Sequence, residues 1–222
     1  MLIRSLAKKA YIDMLFQFRH TCIYEFHHVT ADGKTSSAVL DEELFYRFID
    51  EHGPYTTLEN VLKKGEGKAI TFDDGLLDTY TIAFPYLKKK GIPFTMFVLT
   101  GLLGTPGYMT KENMLEMSEN ELVTIGSHGI NHLKFGDLTG EEQAKEIIKS
   151  KRYLEDAVGY CDYIAYPFGS YNEITKKLVE DTGYKNAFAV KGRPVNKKII
   201  NEMKYEIPRL SIKNETLIYY NR

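Results

Sequence analysis

Short β-prone runs alternate with helix-forming segments along nearly the whole chain, and this alternation constrains the fold more than any other sequence feature. The runs fall at 22–26, 68–72, 94–99, 122–126, 163–166, 186–190 and 205–210. Between them lie segments with helical start and stop signals. Asp41 heads one whose apolar face is Leu44, Phe45, Phe48 and Ile49, and Gly53-Pro54 stops it. A short helix is expected over 57–62, one over 76–90 with a break near Pro85 and a Lys88-Lys89-Lys90-Gly91 finish, and another over 111–117. Thr139 with Glu142, and Ser170 with Glu173, form capping-box patterns ahead of helices that stop at Gly159 and Gly183. Strands alternating with helices make parallel β/α units, and about seven of them favour an α/β barrel, closed or open, over a doubly wound sheet. Pro208 assigns the last strand to an edge or makes it irregular, because proline has no N–H to donate.

The 222 residues, 43% of them hydrophobic, suffice for the core of one barrel-sized domain, and the chain is read as a single domain over 1–222. A net charge of −1, with Lys and Arg spread along the sequence, excludes a basic nucleic-acid surface and an acidic tail. Cys22 and Cys161 lack metal-ligand spacing and are expected as small buried residues. Near the start, Arg4, Lys8 and Lys9 interrupt the apolar residues before a signal-length run accumulates. No later run is long enough to span a bilayer. A soluble, cytoplasmic protein is expected, or a cell-surface or extracellular one if a leader has been removed. Residues 2–18 have loosely helical spacing and suit a basic amphipathic helix lying on the domain or, as the lesser expectation, on a membrane surface.

In a β/α barrel, catalytic groups come from the C-terminal ends of several strands. Here those ends carry His27 and His28, then Asp73 and Asp74, then His128 and His132, then Pro167-Phe168-Gly169, and last Arg209. Successive side chains of extended backbone point opposite ways, so one of the paired carboxylates can bind a cation while the other handles a proton. Taken alone, Asp73-Asp74-Gly75 is ordinary turn chemistry. The His-x-x-x-His spacing of His128 and His132 can place two imidazoles on one metal, and a carboxylate would complete a three-ligand site with room for water. Each motif is weak by itself, and together they favour a metal centre.

Thr71-Phe72-Asp73-Asp74-Gly75, Ser127-His128-Gly129-Ile130-Asn131-His132 and Tyr166-Pro167-Phe168-Gly169 resemble, in order and separation, the first three motifs of the polysaccharide deacetylases. This family is also called carbohydrate esterase family 4 or the NodB homology domain. The resemblance covers about 27–209 and implies a distorted (β/α)7 barrel of the NodB type. By similarity, Asp74, His128 and His132 would hold a divalent metal, zinc above others. Asp73 would be the general base toward the attacking water, and the backbone N–H of Phe168 would help stabilise the oxyanion. The implied reaction removes the acetyl group, as acetate, from an N-acetylated glycan or sugar precursor.

The chain departs from the family pattern in two places. Ala165 stands where the third motif begins with Arg, and the absence of Trp rules out the usual Asp-Trp fourth motif. No histidine follows His132 to act as the acid. Tyr24-Glu25-Phe26-His27-His28-Val29, however, resembles the Tyr-His-x-Val stretch that opens a permuted branch of the family, one that includes poly-N-acetylglucosamine deacetylases. That resemblance implies His27 as the acid for the leaving amine. His28 would face the barrel exterior. Arg209 would replace the missing Arg in positioning Asp73, or else be a surface arginine covering apolar neighbours. Two other readings stand beside this one: a hydrolase of a non-sugar amide or imide, and a glycan-binding protein with a vestigial site.

Overall fold

The computed structural model describes residues 21–31 and 39–213. The expected amphipathic helix over 2–18 lies outside them. Seven parallel strands close into a barrel in the order β1 (Cys22–Phe26), β4 (Lys68–Phe72), β5 (Phe94–Val98), β6 (Val123–Ser127), β7 (Tyr163–Ala165), β8 (Asn186–Val190) and β9 (Ile207–Ser211), with β9 returning to β1. A separate two-stranded sheet joins β2 (His28–Thr30) to β3 (Val39–Asp41). The barrel is the distorted (β/α)7 type, and its ladders are uneven. Ser127↔Ile164 is the one register pair between β6 and β7, and β1 meets β9 through Tyr24↔Leu210 and Glu25↔Ser211.

Pro208 therefore does not lie at an edge. It pairs with Ala189 of β8, while the ladder to β1 begins two residues later at Leu210, so the missing donor falls where β9 has not yet reached β1.

Helices α1 (Glu42–His52), α2 (Leu58–Lys64), α3 (Phe84–Lys90), α4 (Lys111–Ser118), α5 (Gly140–Val158), α6 (Glu173–Asp181) and α7 (Lys197–Glu202) connect the strands. Asp41 Oδ1 caps α1 by accepting from the N–H groups of Glu43 and Leu44, and Phe45, Phe48 and Ile49 are buried. Thr139 and Glu142 form the expected capping box of α5. The segment over 76–90 is not a continuous α-helix. A π-turn over Thr79–Ala83 precedes α3, with the Phe84 N–H bonded to Thr79 O, five residues back. Pro85 explains the change, since its ring and missing N–H disfavour regular α-geometry in the preceding turn.

The cap of α6 is Asn172, paired reciprocally with Thr175, rather than Ser170 with Glu173. The Ser170 hydroxyl instead accepts from the N–H of Gly136. Helix α7, six residues long and capped by Asn196, was not anticipated from the sequence.

Period-2 alternation sorts the strand residues into two cores. Ile23, Ala69, Phe97, Ala165, Phe188 and Ile207 form a buried inner cluster. Strand residues of the opposite phase, Tyr24, Ile70, Met96, Ile164, Ala187 and Leu210, belong to the larger layer that also contains the helix residues Phe45, Leu87, Ile147 and Val179. The inner space is tight: a Cβ at Gly126 would lie 2.8 Å from the Phe97 ring. Cys22 and Cys161 are free thiols, both buried.

Candidate active site

The alternation that builds the inner core also carries polar groups into the barrel mouth. Two residues beyond Ile23 stands Glu25, two beyond Thr71 stands Asp73, and two beyond Ile207 stands Arg209. All three are buried, and Arg209 is fully so. Its guanidinium binds Asp73 bidentately, Nη1 to Oδ1 at 2.7 Å and Nη2 to Oδ2 at 2.6 Å, and Nη1 also donates to Thr71 Oγ1 at 3.0 Å. Beneath it the Phe97 ring lies 5.3 Å from the guanidinium carbon. Arg209 is thus no surface residue; its planar fork fixes the plane of one carboxylate. Burial pushes the Asp73 carboxyl up, but the Arg209 charge, then His128, hold it below the ordinary carboxylate range.

Asp74 breaks the alternation, because its backbone turns to φ 74°. Its Oδ1 lies 3.4 Å from His128 Nε2 and 3.4 Å from His132 Nε2. The Nδ1 of His128 is 2.9 Å from the Ala165 carbonyl. A carbonyl only accepts, so Nδ1 carries a proton and Nε2 is the nitrogen that faces Asp74. His132, at φ 58°, stacks its ring on Phe168 with centroids 4.3 Å apart. Asp74, His132 and Phe168 are the non-glycine residues with positive φ among those described, and all three adjoin this point. Such backbone is uncommon and concentrates at functional sites.

These donors fit a metal. Asp74 Oδ1 is buried without a hydrogen-bond partner among the described residues, at ion-pair distance from both imidazoles but hydrogen-bonded to neither. Two nitrogen donors and one oxygen suit zinc, and ligand bonds of about 2.1 Å at tetrahedral angles put neighbouring donors roughly 3.4 Å apart. A second group, Glu25, His27 and Asp73, also brings donor atoms within 4.8 Å of one another. There the cation is already present, since Arg209 occupies both Asp73 oxygens.

His27 follows β1 and is 23% exposed, its Nε2 3.4 Å from Glu25 Oε1. Burial raises the Glu25 carboxyl above its ordinary range, against the lowering effect of Arg209. His28 begins β2 and pairs with Asp78, Nδ1 to Oδ2 at 2.5 Å. Phe168 is 60% exposed, with Lys134 Nζ 5.5 Å from its ring centre.

Sequence reasoning missed Glu25, Asp78 and Lys134. Glu25 had a signal, a lone carboxylate in phase with Ile23 inside an apolar run. Asp78 and Lys134 had none short of the tertiary structure.

Comparison with known proteins bears on the family and the fold. The polysaccharide deacetylase family profile matches residues 63–187. The poly-β-1,6-N-acetyl-D-glucosamine N-deacetylase of Staphylococcus epidermidis is 31% identical over 188 residues, 74% of this chain and 64% of the relative. YxkH of Bacillus subtilis is 40% identical over 116 residues, 52% of this chain and 41% of YxkH. The chain therefore spans about 41–64% of the length of these curated relatives. Two solved structures share the fold. The Streptococcus pyogenes deacetylase PplD in complex with acetate superposes with TM-score 0.77 at 24% identity, covering 90% of this chain and 96% of PplD. IcaB from Ammonifex degensii superposes with TM-score 0.77 at 23% identity, covering 91% of this chain and 96% of IcaB. On the matched profile and the Staphylococcus relative, the chain belongs to the polysaccharide deacetylase family.

Proposed function

We propose that this chain is a metal-dependent N-deacetylase that hydrolyses the acetamide of an N-acetylated sugar in a glycan, with zinc as the resident metal. One observation carries the reading. A buried Asp74 oxygen, without a hydrogen-bond partner among the described residues, faces two imidazole nitrogens at 3.4 Å, beside a second carboxylate that a buried arginine holds in place. Amide hydrolysis requires an activated water, stabilisation of charge on the acyl oxygen, and a proton for the leaving amine. A divalent metal held by Asp74, His128 and His132 would act as Lewis acid and make water more acidic.

The protein's own residues take the remaining tasks. Asp73, kept ionised by Arg209, takes the proton of the attacking water, and because both its oxygens are held by the guanidinium, the direction of its free lone pairs is fixed. The backbone N–H of Phe168 donates to the developing oxyanion. His27 gives its proton to the amine nitrogen as the C–N bond breaks. The exposed Phe168 ring offers a flat apolar surface beside the ligands, suited to the C–H face of a pyranose. The relatives' action on N-acetylglucosamine polymers supports the same substrate class.

The test is acetate release from N-acetylglucosamine oligomers, measured beside a panel of non-sugar amides, with metal content determined on the same samples. Turnover of the oligomers that chelation abolishes and zinc restores is the expected result. Turnover confined to non-sugar amides would move the substrate, and metal binding without turnover of anything would leave a glycan-binding protein.

A further inference from the structure

Helix α5 sends a carboxylate toward the site from behind. Glu146 is 3% exposed, and none of the proton transfers above uses it. Its Oε2 accepts from the backbone N–H groups of Ile130 at 2.7 Å and Asn131 at 3.0 Å, and its Oε1 accepts from the Asn131 side-chain amide at 2.6 Å. All three donors lie in the turn between His128 and His132. One helical turn further along α5, Ser150 Oγ meets Ser127 Oγ at 2.8 Å, and Ser127 Oγ accepts from the Gly129 N–H at 3.1 Å. From the opposite side, the N–H groups of Thr100 and Gly101 bind the carbonyls of Gly129 and Ile130.

The turn so gripped is a strained one. It ends in His132 at φ 58° and contains Gly129 at φ 86°, where a Cβ would come within 2.9 Å of the Phe135 ring and 3.2 Å of Glu146 Oε2. Such backbone persists only where its surroundings over-determine it. Glu146, itself closed to solvent, supplies three charge-assisted hydrogen bonds of that surrounding structure.

We propose that Glu146 is a positioning residue for the metal centre: by holding the backbone over 129–131 it fixes the separation of the His128 and His132 imidazoles, and metal affinity depends on its hydrogen bonds. The inference rests on the metal reading of Asp74, His128 and His132. Groups outside the ligand shell that orient ligands typically change metal affinity 10–100-fold when removed.

The experiment titrates metal-free protein with Co²⁺, follows its visible absorption, and obtains Kd by competition with a chelator. Glu146→Ala is expected to raise Kd by about 10–100-fold. Glu146→Gln is expected to stay close to wild type, because its carbonyl can accept from both backbone N–H groups while the Asn131 amide turns to present its oxygen. Leu154→Ala, fully buried on the same helix, should lower the melting temperature and keep the wild-type Kd. Should Glu146→Ala not fold, Asn131→Ala removes one of the three bonds from an exposed residue and is expected to raise Kd severalfold. Wild-type Kd in the Glu146→Ala or Asn131→Ala protein, a Gln variant no better than the Ala variant, or an equal loss in Leu154→Ala would overturn the proposal. A wild-type protein that binds no Co²⁺, or binds it unchanged after Asp74→Ala, would instead remove the metal reading and this inference with it.

Discussion

Replacing Arg209 by Met keeps most of its volume above Phe97 while deleting the charge that sits on Asp73. The wild-type pair is fully desolvated and bidentate, at 2.7 and 2.6 Å, and Nη1 also satisfies Thr71 Oγ1. Removing one partner of such a pair leaves a buried charge uncompensated, which costs about 3–5 kcal/mol. Glu25, which also feels the Arg209 charge, loses that support at the same time. The double variant Arg209→Met/Asp73→Asn no longer buries the Asp73 charge, and should recover about 1–3 kcal/mol relative to Arg209→Met alone. Urea unfolding in the presence of a chelator measures both without a metal contribution.

The pH dependence has a definite sign. In the wild type the Asp73 carboxyl lies below its unfolded value of about 3.9, so its contribution is complete above that pH and is lost as pH falls through the folded value. Without Arg209, burial dominates and lifts the carboxyl, so the variant loses stability as pH rises through the lifted value. The gap between the two proteins should therefore widen from acid to neutral pH. A deficit below about 1 kcal/mol at neutral pH, or a double variant no more stable than Arg209→Met, would refute the account of a buried pair that fixes Asp73.

Ala substitution of Asp74, His128 or His132 is expected to remove most bound metal and the activity with it; metal analysis showing unchanged content in all three would misplace the centre. His27→Ala should lower kcat on an acetamide by roughly 10²–10⁴-fold at full metal occupancy, with a much smaller deficit on an aryl acetate, whose leaving group needs no proton. Equal losses on the two substrates would assign the acid elsewhere. His28→Ala should leave kcat near wild type. The Asp78 hydrogen bond raises the His28 pKa, so the stability that variant loses should be fully present below about pH 6.5 and fade as pH rises through the folded value; melting curves across that range check it, and a difference growing toward alkaline pH would contradict the pairing.

The barrel and the residues at its mouth were legible because strand periodicity and strand-end chemistry coincide in β1, β4, β6 and β9. The features that stayed hidden depend on partners distant in sequence. Ser170 and Asn172 both suit a cap, and only the demand of Gly136 N–H for the Ser170 hydroxyl decides between them. Glu146 reads as one more solvated carboxylate on an amphipathic helix until the Ile130 and Asn131 donors are seen beneath it. Pro208 argued for an edge because a proline in a ladder forfeits a bond, and the late start of the β1 to β9 pairing makes that bond unnecessary. The six residues of α7 are too few to display a helical period.

The two-pair junction between β1 and β9 has a consequence for the order in which function can arise during folding. Asp74, His128 and His132 come from the ends of β4 and β6, which are joined through β5 in the middle of the chain. Arg209 reaches Asp73 across 136 positions of sequence, and His27 directly follows the strand that β9 must find in order to close the ring. Long-range contacts of that kind form late, since loop-closure entropy opposes them until neighbouring strands are in place. A nascent or partly open barrel could bring Asp74, His128 and His132 together while Asp73 remained unaligned. Under the proposed function, alignment of the base is thereby coupled to closure of the ring between β9 and β1, and a chain that stops short of Arg209 would lack it.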